Sequence, residues 1–269
     1  MFLICVLFAL IILGILGLVI GYLVKIGAPH LSWNFFTKLP SGDPRDPGGM
    51  KNAVIGTLVL IALASTMGVP LGILAGIYLS EYSGERWLTA PVRFLSDVLA
   101  GVPSIVVGIL GYELLVVPLS GPNGWAGAFA LGFIMIPIVA RTTEEMLRLV
   151  PNSYREASIA LGAGKARTIV RVVLPAATGS IVTGIMLAVA RIAGETAPLL
   201  FTAMGSRLLT FDPNHAFPSL TKQIYDYAMG PYPAQKQLAW AGILVLISMI
   251  LVVNLGIRYA SRPKRLAMA

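Results

Sequence analysis

Charged residues are scarce in this chain of 269 residues, in which Asp, Glu, Lys and Arg make up only 12% of the composition. Soluble domains carry about 25%. Hydrophobic residues make up 57%, and they lie in uncharged runs long enough to cross a bilayer. This pattern excludes an ordinary soluble domain. The sequence predicts an all-α, polytopic membrane protein.

Residues that bind metals or form disulfides are nearly absent. Cys5 is the single cysteine and lies in an apolar run, which excludes a disulfide framework. His30 and His215 are far apart and are predicted to be loop histidines, so no metal site is expected. No phosphate-binding Walker A loop, Gly-x-Ser-x-Gly elbow or Cys/His cluster occurs. We therefore expect neither enzyme activity nor a cofactor in this chain, and any process that it carries out with an input of energy would depend on a partner or an ion gradient.

Six apolar runs predict six transmembrane helices in a single domain, 1–269. The expected spans are about 2–24, 54–80, 92–118, 125–140, 176–204 and 238–257. The first run is too long for a signal-peptide core and lacks a basic start, so it is expected to be retained. Six crossings place both termini on one side of the membrane.

Basic residues give the net charge of +8, which alone could indicate nucleic-acid binding. These basic residues lie in loops and in the tail, as is typical of membrane proteins. We therefore expect the chain to contact membrane lipid and not nucleic acid. The side predicted to hold both termini carries twelve basic residues: Arg86, Arg93, Arg141, Arg148, Arg155, Lys165, Arg167, Arg171, Arg258, Arg262, Lys264 and Arg265. The other carries seven: Lys25, Lys38, Arg45, Lys51, Arg207, Lys222 and Lys236. The richer side is expected to be cytoplasmic in a bacterial inner membrane.

Small residues recur at every fourth position in two of the predicted spans. They are Gly68, Gly72 and Gly76 in the second span, and Ala100, Ser104 and Gly108 in the third. Such stripes allow two helix backbones to approach closely. The pattern predicts a compact helical bundle.

Prolines inside the spans predict interruptions of the helices. Pro103, Pro137 and Pro198 each remove a backbone donor and free a carbonyl one turn earlier. In lipid, such carbonyls need partners from other helices or from a water-lined cavity. Kinks are therefore expected at Gly101–Ser104 and Gly194–Pro198.

Arg191 and Glu195 are the most informative charges, because they lie deep in the predicted fifth span. An Arg or Asp at a helix centre costs about 2.5–3.5 kcal/mol. Their four-residue spacing allows an ion pair on one helix face, which could also serve insertion alone. We expect Arg191, Glu195 and the adjacent Thr196 to lie on a substrate path, since a guanidinium matches two oxygens of an oxyanion. Glu113 is a weaker candidate.

A polar stretch, 153–175, separates the fourth and fifth runs. Ala157, Ala160 and Leu161 recur at helical spacing, and Gly162 and Gly164 allow a turn. The pattern predicts two short helices on the cytoplasmic side. A polar pair of helices between two spans is expected to be a docking site.

The same stretch contains a spaced motif. Glu156-Ala157-Ser158, three residues, Gly162, nine residues and then Val172-Val173-Leu174-Pro175 resembles the EAA loop of ABC importer permeases. That loop reads Glu-Ala-Ala, three residues, Gly, nine residues, Ile-x-Leu-Pro. Ser158 and Val172 depart from it by small changes.

From Lys51 onward the chain is similar to the permease subunits of phosphate importers. The similarity lies in Gly101–Gly108, Ala190–Ala203 and Gln237–Gly242. It implies the type I ABC importer permease fold, a homologous permease subunit, two copies of an ATPase subunit that bind ATP and Mg²⁺, and an external phosphate-binding protein.

The resemblance also implies that 153–175 is a coupling loop that docks on the ATPase. Its contact residues would be Arg155, Glu156, Ala157, Ala160, Leu161 and Gly162. Two alternatives remain at this point. The cargo could be molybdate, sulfate or a phosphonate, or the chain could be an ion-gradient secondary transporter; a non-transporting scaffold is disfavoured by the intramembrane charges.

Overall fold

The long apolar runs form long helices, because a bilayer offers no hydrogen-bond partners to an exposed peptide group. The computed structural model describes residues 2–43, 45–82 and 86–260, with side chains for 4–43, 45–82 and 89–259. Among these residues five helices are long and apolar enough to cross a membrane, and one bent pair gives a sixth crossing if it is counted as one span. The described residues contain no strand beyond two isolated β-bridges. The all-α prediction is confirmed.

The helices are α1 (Phe2–Gly27), α2 (Trp33–Thr37), α3 (Lys51–Glu81), α4 (Arg86–Gly101), α5 (Ser104–Gly111), α6 (Gly124–Arg148), α7 (Asn152–Ala160), α8 (Lys165–Thr168), α9 (Leu174–Ala193), α10 (Ala197–Phe201), α11 (Leu220–Met229) and α12 (Pro233–Ala260). Short π-helical turns follow α5 at Tyr112–Val116 and join α8 to α9 at Ile169–Val173. A 3₁₀ turn, Ala28–His30, follows α1.

Helices α3 and α6 form the centre of the bundle and pack through the predicted glycine stripe. A Cβ on Gly72 would lie 2.6 Å from Val139 Cβ, and a Cβ on Gly76 would lie 2.6 Å from the carbonyl oxygen of Ala140. The contacts advance along both helices in the same direction, so α3 and α6 are parallel. Only glycine allows this approach of the two backbones.

The other long helices run against this central pair or beside it. Helix α9 is antiparallel to α6, with Gly184 against Thr142. Helix α12 is antiparallel to α1, with Gly27 against Trp240, and the most apolar 18-residue stretch of α1 contains no buried residue. We call the end of the bundle at which α3 and α6 terminate the α7 end, because α7 lies there. The α11 end is the opposite one, where α11 and the segment 202–219 lie.

The third predicted span, 92–118, is not one straight helix. It is divided at Val102 and Pro103 into α4 and α5, whose axes differ in direction by 102°. Pro103 lacks an N–H group, and a residue before proline avoids helical geometry, which ends α4 at Gly101. Helix α4 then lies along α6, where Arg93 and Asp97 pair with charges of α6. The span expected at 92–118 is therefore a sharply bent pair of helices, and the break falls at the kink expected at Gly101–Ser104.

The stripe predicted in this span is divided with it. Ala100 belongs to α4, whereas Ser104 and Gly108 belong to α5, so the three residues do not share one helix face. Gly108 makes a close helix contact, since a Cβ there would lie 2.6 Å from Pro198 Cα.

The fifth predicted span, 176–204, also differs from the structure. Its helix begins at Lys165, runs through the π turn and ends at Ala193, a length of 29 residues. The second half of the polar stretch is therefore the first part of this long helix and not a separate short helix. Residues 194–196 interrupt the span before α10. The predicted kink at Gly194–Pro198 is a complete break.

Candidate functional site

The break between α9 and α10 is the main candidate site. Helix α9 ends with the N–H groups of Gly194 and Glu195 bonded to the carbonyls of Arg191 and Ile192, at 3.3 and 3.2 Å. Pro198 then occupies the first turn of α10, where a missing N–H costs nothing. A glycine at the end of one helix and a proline at the start of the next thus determine where the chain is interrupted.

The break lies near the middle of the bundle. Its flanking residues contact α6 at two levels: Gly184 of α9 packs on Thr142, and Leu199 of α10 packs near Gly127. Arg191 therefore lies at a level between Thr142 and Gly127, although it occupies the last turn of α9. The sequence placed Arg191 deep in the fifth span, shortly before an expected kink, and in the structure it lies at mid-depth at the edge of a complete break.

Arg191 and Glu195 form the ion pair that their spacing predicts. Arg191 Nη2 lies 3.2 Å from Glu195 Oε1. The arginine side chain is 61% exposed and the glutamate only 12%, so the guanidinium presents most of its donors to the surroundings. Thr221 of α11 donates from Oγ1 to the carbonyl oxygen of Glu195 at 3.0 Å, which fixes the break from the α11 end.

Thr196 occupies the N-cap position of α10, but its hydroxyl does not form a capping hydrogen bond with the α10 backbone. Thr196 is half-buried, follows Glu195 directly in the sequence and is the last residue of the break. Glu113 lies apart, exposed in the π turn after α5.

The two breaks lie next to each other. Helices α5 and α10 both begin immediately after an interruption, and they pack together at Gly108 and Pro198. Irregular backbone at this depth is found in membrane proteins where it is covered by protein or lines a water-filled cavity. Side by side, the breaks place polar backbone beside an exposed guanidinium, an arrangement suited to a hydrated anion.

The coupling loop is the second candidate site. Glu156, Ala157, Ala160, Leu161 and Gly162 are all exposed, and Leu161 is exposed to 89%. An apolar side chain so exposed at a helix end is typical of a docking surface. The surface formed by these five residues is here named the coupling surface.

Gly162 has a φ of +81°, and no atom lies near the position of a Cβ. It ends α7 in the left-handed conformation that glycine adopts readily. On the inner side of α7, Ser158 and Thr168 are buried and their hydroxyls are 2.9 Å apart. The helix is thereby held against the start of the α8–α9 helix with the coupling surface facing outward.

Arg155 differs from the prediction that it reaches a partner. Its guanidinium faces the bundle, with Nη2 2.7 Å and Nε 3.2 Å from the two carboxylate oxygens of Glu81. It also donates to the carbonyls of Leu147 and Val150 at 2.9 and 2.7 Å. The side chains of the pair are 18% and 7% exposed. Arg155 therefore joins α7 to the ends of α3 and α6.

Sequence reasoning missed Glu81 and Thr221. Glu81 is a carboxylate at the end of an apolar helix, and that position alone could have marked it as a residue with a polar partner. Nothing in the sequence identifies Arg155, 74 positions away, as this partner. Thr221 carries no signal. In the described part of the chain no group of three or more His, Cys, Asp or Glu residues could hold a metal ion.

Comparison with known proteins gives the family. A family model described as "binding-protein-dependent transport system inner membrane component" matches residues 68–265. The phosphate transport system permease protein PstA of Yersinia pestis is 43% identical over 239 residues, which cover 89% of this chain and 81% of that protein. PstA 1 of Mycobacterium tuberculosis is 42% identical over 225 residues, covering 81% and 73%.

Solved structures agree on the fold. A bacterial ABC transporter involved in the import of alginate superposes with a TM-score of 0.69 at 16% identity, covering 97% of this chain and 96% of its own. The inward-facing MetNI methionine ABC transporter superposes with a TM-score of 0.58 at 20% identity, covering 79% and 94%. The predicted fold class is confirmed.

These relatives are transport subunits, and the expectation that the chain is not an enzyme is confirmed. The family likewise confirms a multi-pass protein of the inner membrane. The ABC importers to which such subunits belong contain an ATPase and a binding protein, which rules out the ion-gradient secondary transporter. The chain belongs to the PstA family of binding-protein-dependent transport system inner membrane components.

Proposed function

We propose that this chain forms half of the membrane channel of an ATP-driven importer and carries inorganic phosphate into the cytoplasm. The observation that supports this most directly is the Arg191–Glu195 pair at the break in the fifth span, with a 61% exposed guanidinium. Phosphate is the cargo named for the PstA relatives. A guanidinium binds such oxyanions through two parallel hydrogen bonds.

The proposed assembly contains a second, PstC-like permease subunit, two PstB-like ATPase subunits and a PstS-like external phosphate-binding protein. ATP and Mg²⁺ bind to the ATPase subunits, and no cofactor binds to this chain. Helix α5 supports a second permease subunit, because Ile105, Val106, Ile109 and Leu110 form an exposed apolar face on the helix that packs against α10, directly after the break. A homologous subunit on this face would enclose the guanidinium between the two halves.

The proposed orientation places the α7 end and both termini in the cytoplasm. Of the basic residues with described side chains, eight lie at that end, against seven at the other end and Arg191 at mid-depth. The eight are Arg93, Arg141, Arg148, Arg155, Lys165, Arg167, Arg171 and Arg258. The side chain of Arg86, and Arg262, Lys264 and Arg265 of the tail, lie outside the described residues.

The proposed mechanism is alternating access. Closing of the ATPase dimer displaces the coupling surface, and the Arg155–Glu81 contact transmits the movement to α3 and α6. Because α9 continues directly from α8, the same movement reaches the break at residues 194–196. Phosphate then competes with Glu195 for Arg191, and the Arg191–Glu195 ion pair forms again once the anion has left.

Two substitutions at Gly162 test the coupling surface. Gly162→Pro is expected to abolish ATPase association in a pull-down, because proline cannot adopt the φ of +81° and distorts the end of α7. Gly162→Asn is the matched control and should retain association, since asparagine tolerates this conformation and the surrounding space is open. Association retained by the proline variant would argue against docking at this surface.

Competition between oxyanions tests the substrate. In proteoliposomes containing the complete importer, excess unlabelled phosphate should suppress uptake of labelled phosphate by at least about tenfold. Equal concentrations of sulfate, molybdate and a phosphonate should suppress it by about twofold or less, because about 1.4 kcal/mol of preference gives a tenfold selectivity. Stronger suppression by any of these three anions would reassign the cargo.

A further inference from the structure

A polar cavity lies at the α11 end of the bundle, separate from the coupling surface. Its volume is about 300 Å³, and it lies between the segment 204–207 and one face of α11. Ser219, Lys222, Gln223 and Asp226 share that face, as residues spaced by three and four positions do. The volume is at the lower end of the range for small-ligand sites, about 300–1,000 Å³.

The charged side chains of the cavity sum to one positive charge, from Arg207, Lys222 and Asp226. Lys222 Nζ lies 2.6 Å from Asp226 Oδ2, and its side chain is only 20% exposed. Among the described residues Arg207 has no ion-pair partner, and it faces Tyr227 across the cavity. Burial raises the pKa of the Tyr227 phenol above its ordinary value, which disfavours a negative charge beside a bound anion.

Ser219 supplies an independent sign of a ligand. The residue is 2% exposed, and within the described structure its buried hydroxyl has no hydrogen-bond partner. Although it occupies the position before α11, it does not cap the helix. Buried hydroxyls nearly always have a partner, and a group inside the cavity would provide one.

The walls of the cavity are fixed by hydrogen bonds to the rest of the bundle. Asn52 Nδ2 donates to the carbonyl oxygen of Ser206 at 2.6 Å, and Thr57 Oγ1 accepts from the backbone N–H of Leu220 at 2.7 Å. Thr221, which lies between Ser219 and Lys222 in sequence, bonds to the carbonyl of Glu195. The cavity is therefore adjacent to the break that carries Arg191.

We propose that this cavity is an outer binding site for an inorganic oxyanion, in which Arg207 and Lys222 balance its charge and Ser219 donates to one of its oxygens. The site receives the anion before it reaches Arg191. This inference rests on the proposed function, because the site is useful only in a chain that imports such an anion.

The test uses the assembled importer in detergent, without its binding protein and with Arg191→Gln to remove the mid-depth site. Titration with inorganic phosphate in a calorimeter should show binding. Arg207→Met and Lys222→Met should each weaken it about tenfold, the usual effect of losing a charge-assisted hydrogen bond. Asp226→Asn should strengthen it, because a competing negative charge is removed. Lys236→Met, which removes a cation from the neighbouring surface, is the matched control and should leave binding unchanged.

Ser219→Ala separates a binding role from a structural one. It should weaken phosphate binding without lowering the unfolding temperature, since the hydroxyl has no partner within the described chain. Equal affinity in all the variants would overturn the proposed site. So would variants that bind phosphate alike but bind the external binding protein more weakly in a separate titration with that protein, because the cavity would then be a protein contact. Uptake by the unsubstituted importer is measured in parallel, and its absence would contradict the proposed function instead.

Discussion

Arg191→Gln is expected to abolish phosphate uptake while the importer still assembles. The guanidinium is 61% exposed and can form two charge-assisted hydrogen bonds with one anion. Each such bond contributes about 1.5–3 kcal/mol, so losing both should reduce the uptake rate by at least about a hundredfold. The measurement is the initial rate of labelled phosphate uptake into proteoliposomes, with subunit composition checked by gel filtration.

Two companion variants separate charge from geometry at this position. Arg191→Lys keeps the charge but not the forked donors, and it should retain a small part of the uptake. Glu195→Gln frees the guanidinium from its carboxylate partner, so phosphate should bind more tightly and leave more slowly. Uptake at the unsubstituted rate in Arg191→Gln would remove this residue from the path.

Arg155→Ala is expected to uncouple ATP hydrolysis from uptake. The substitution leaves Glu81, whose side chain is 7% exposed, as a buried charge without its partner. Breaking such a pair costs about 3–5 kcal/mol. Helix α7 also loses the donors that hold it to Leu147 and Val150. We expect a several-fold fall in phosphate transported per ATP hydrolysed, and faster hydrogen exchange in α7.

The double variant Glu81→Leu with Arg155→Met is the matched control. Removing both buried charges avoids the unpaired carboxylate, so the unfolding temperature should recover most of its loss. Coupling should remain impaired, because the ion pair that joins α7 to α3 is still absent. If Arg155→Ala transported normally, or if the double variant restored coupling, the contact would have no part in transmission.

The sequence predicted the helical architecture because its main determinants are local. Apolar runs longer than a bilayer define the crossings, and Pro103 and Pro198 mark both interruptions. The size of the bend at Pro103 could not be predicted, because it depends on how α4 pairs with charges on α6. Hydropathy alone continues smoothly through that proline.

The candidate sites divide in the same way. Arg191 and Glu195 are one helical turn apart, so their ion pair could be predicted from spacing. From its place in the coupling motif, Arg155 was predicted to contact a partner subunit. Its side chain instead turns toward the bundle, because it pairs with Glu81, which is 74 residues away in the sequence. The outer cavity was not predicted, since the segment 204–207 and α11 meet only after the bundle has formed.

The break between α4 and α5 has a consequence for the order in which the chain enters the bilayer. Helix α5 has eight residues and the π turn after it five, which at about 1.5 Å per residue span about 20 Å, less than the roughly 30 Å of a hydrocarbon core. This segment cannot hold a crossing alone. It depends on α6 and α10, which emerge later from the ribosome. We therefore expect insertion in two stages, in which the long spans enter the bilayer first and α5 with its π turn then packs between them.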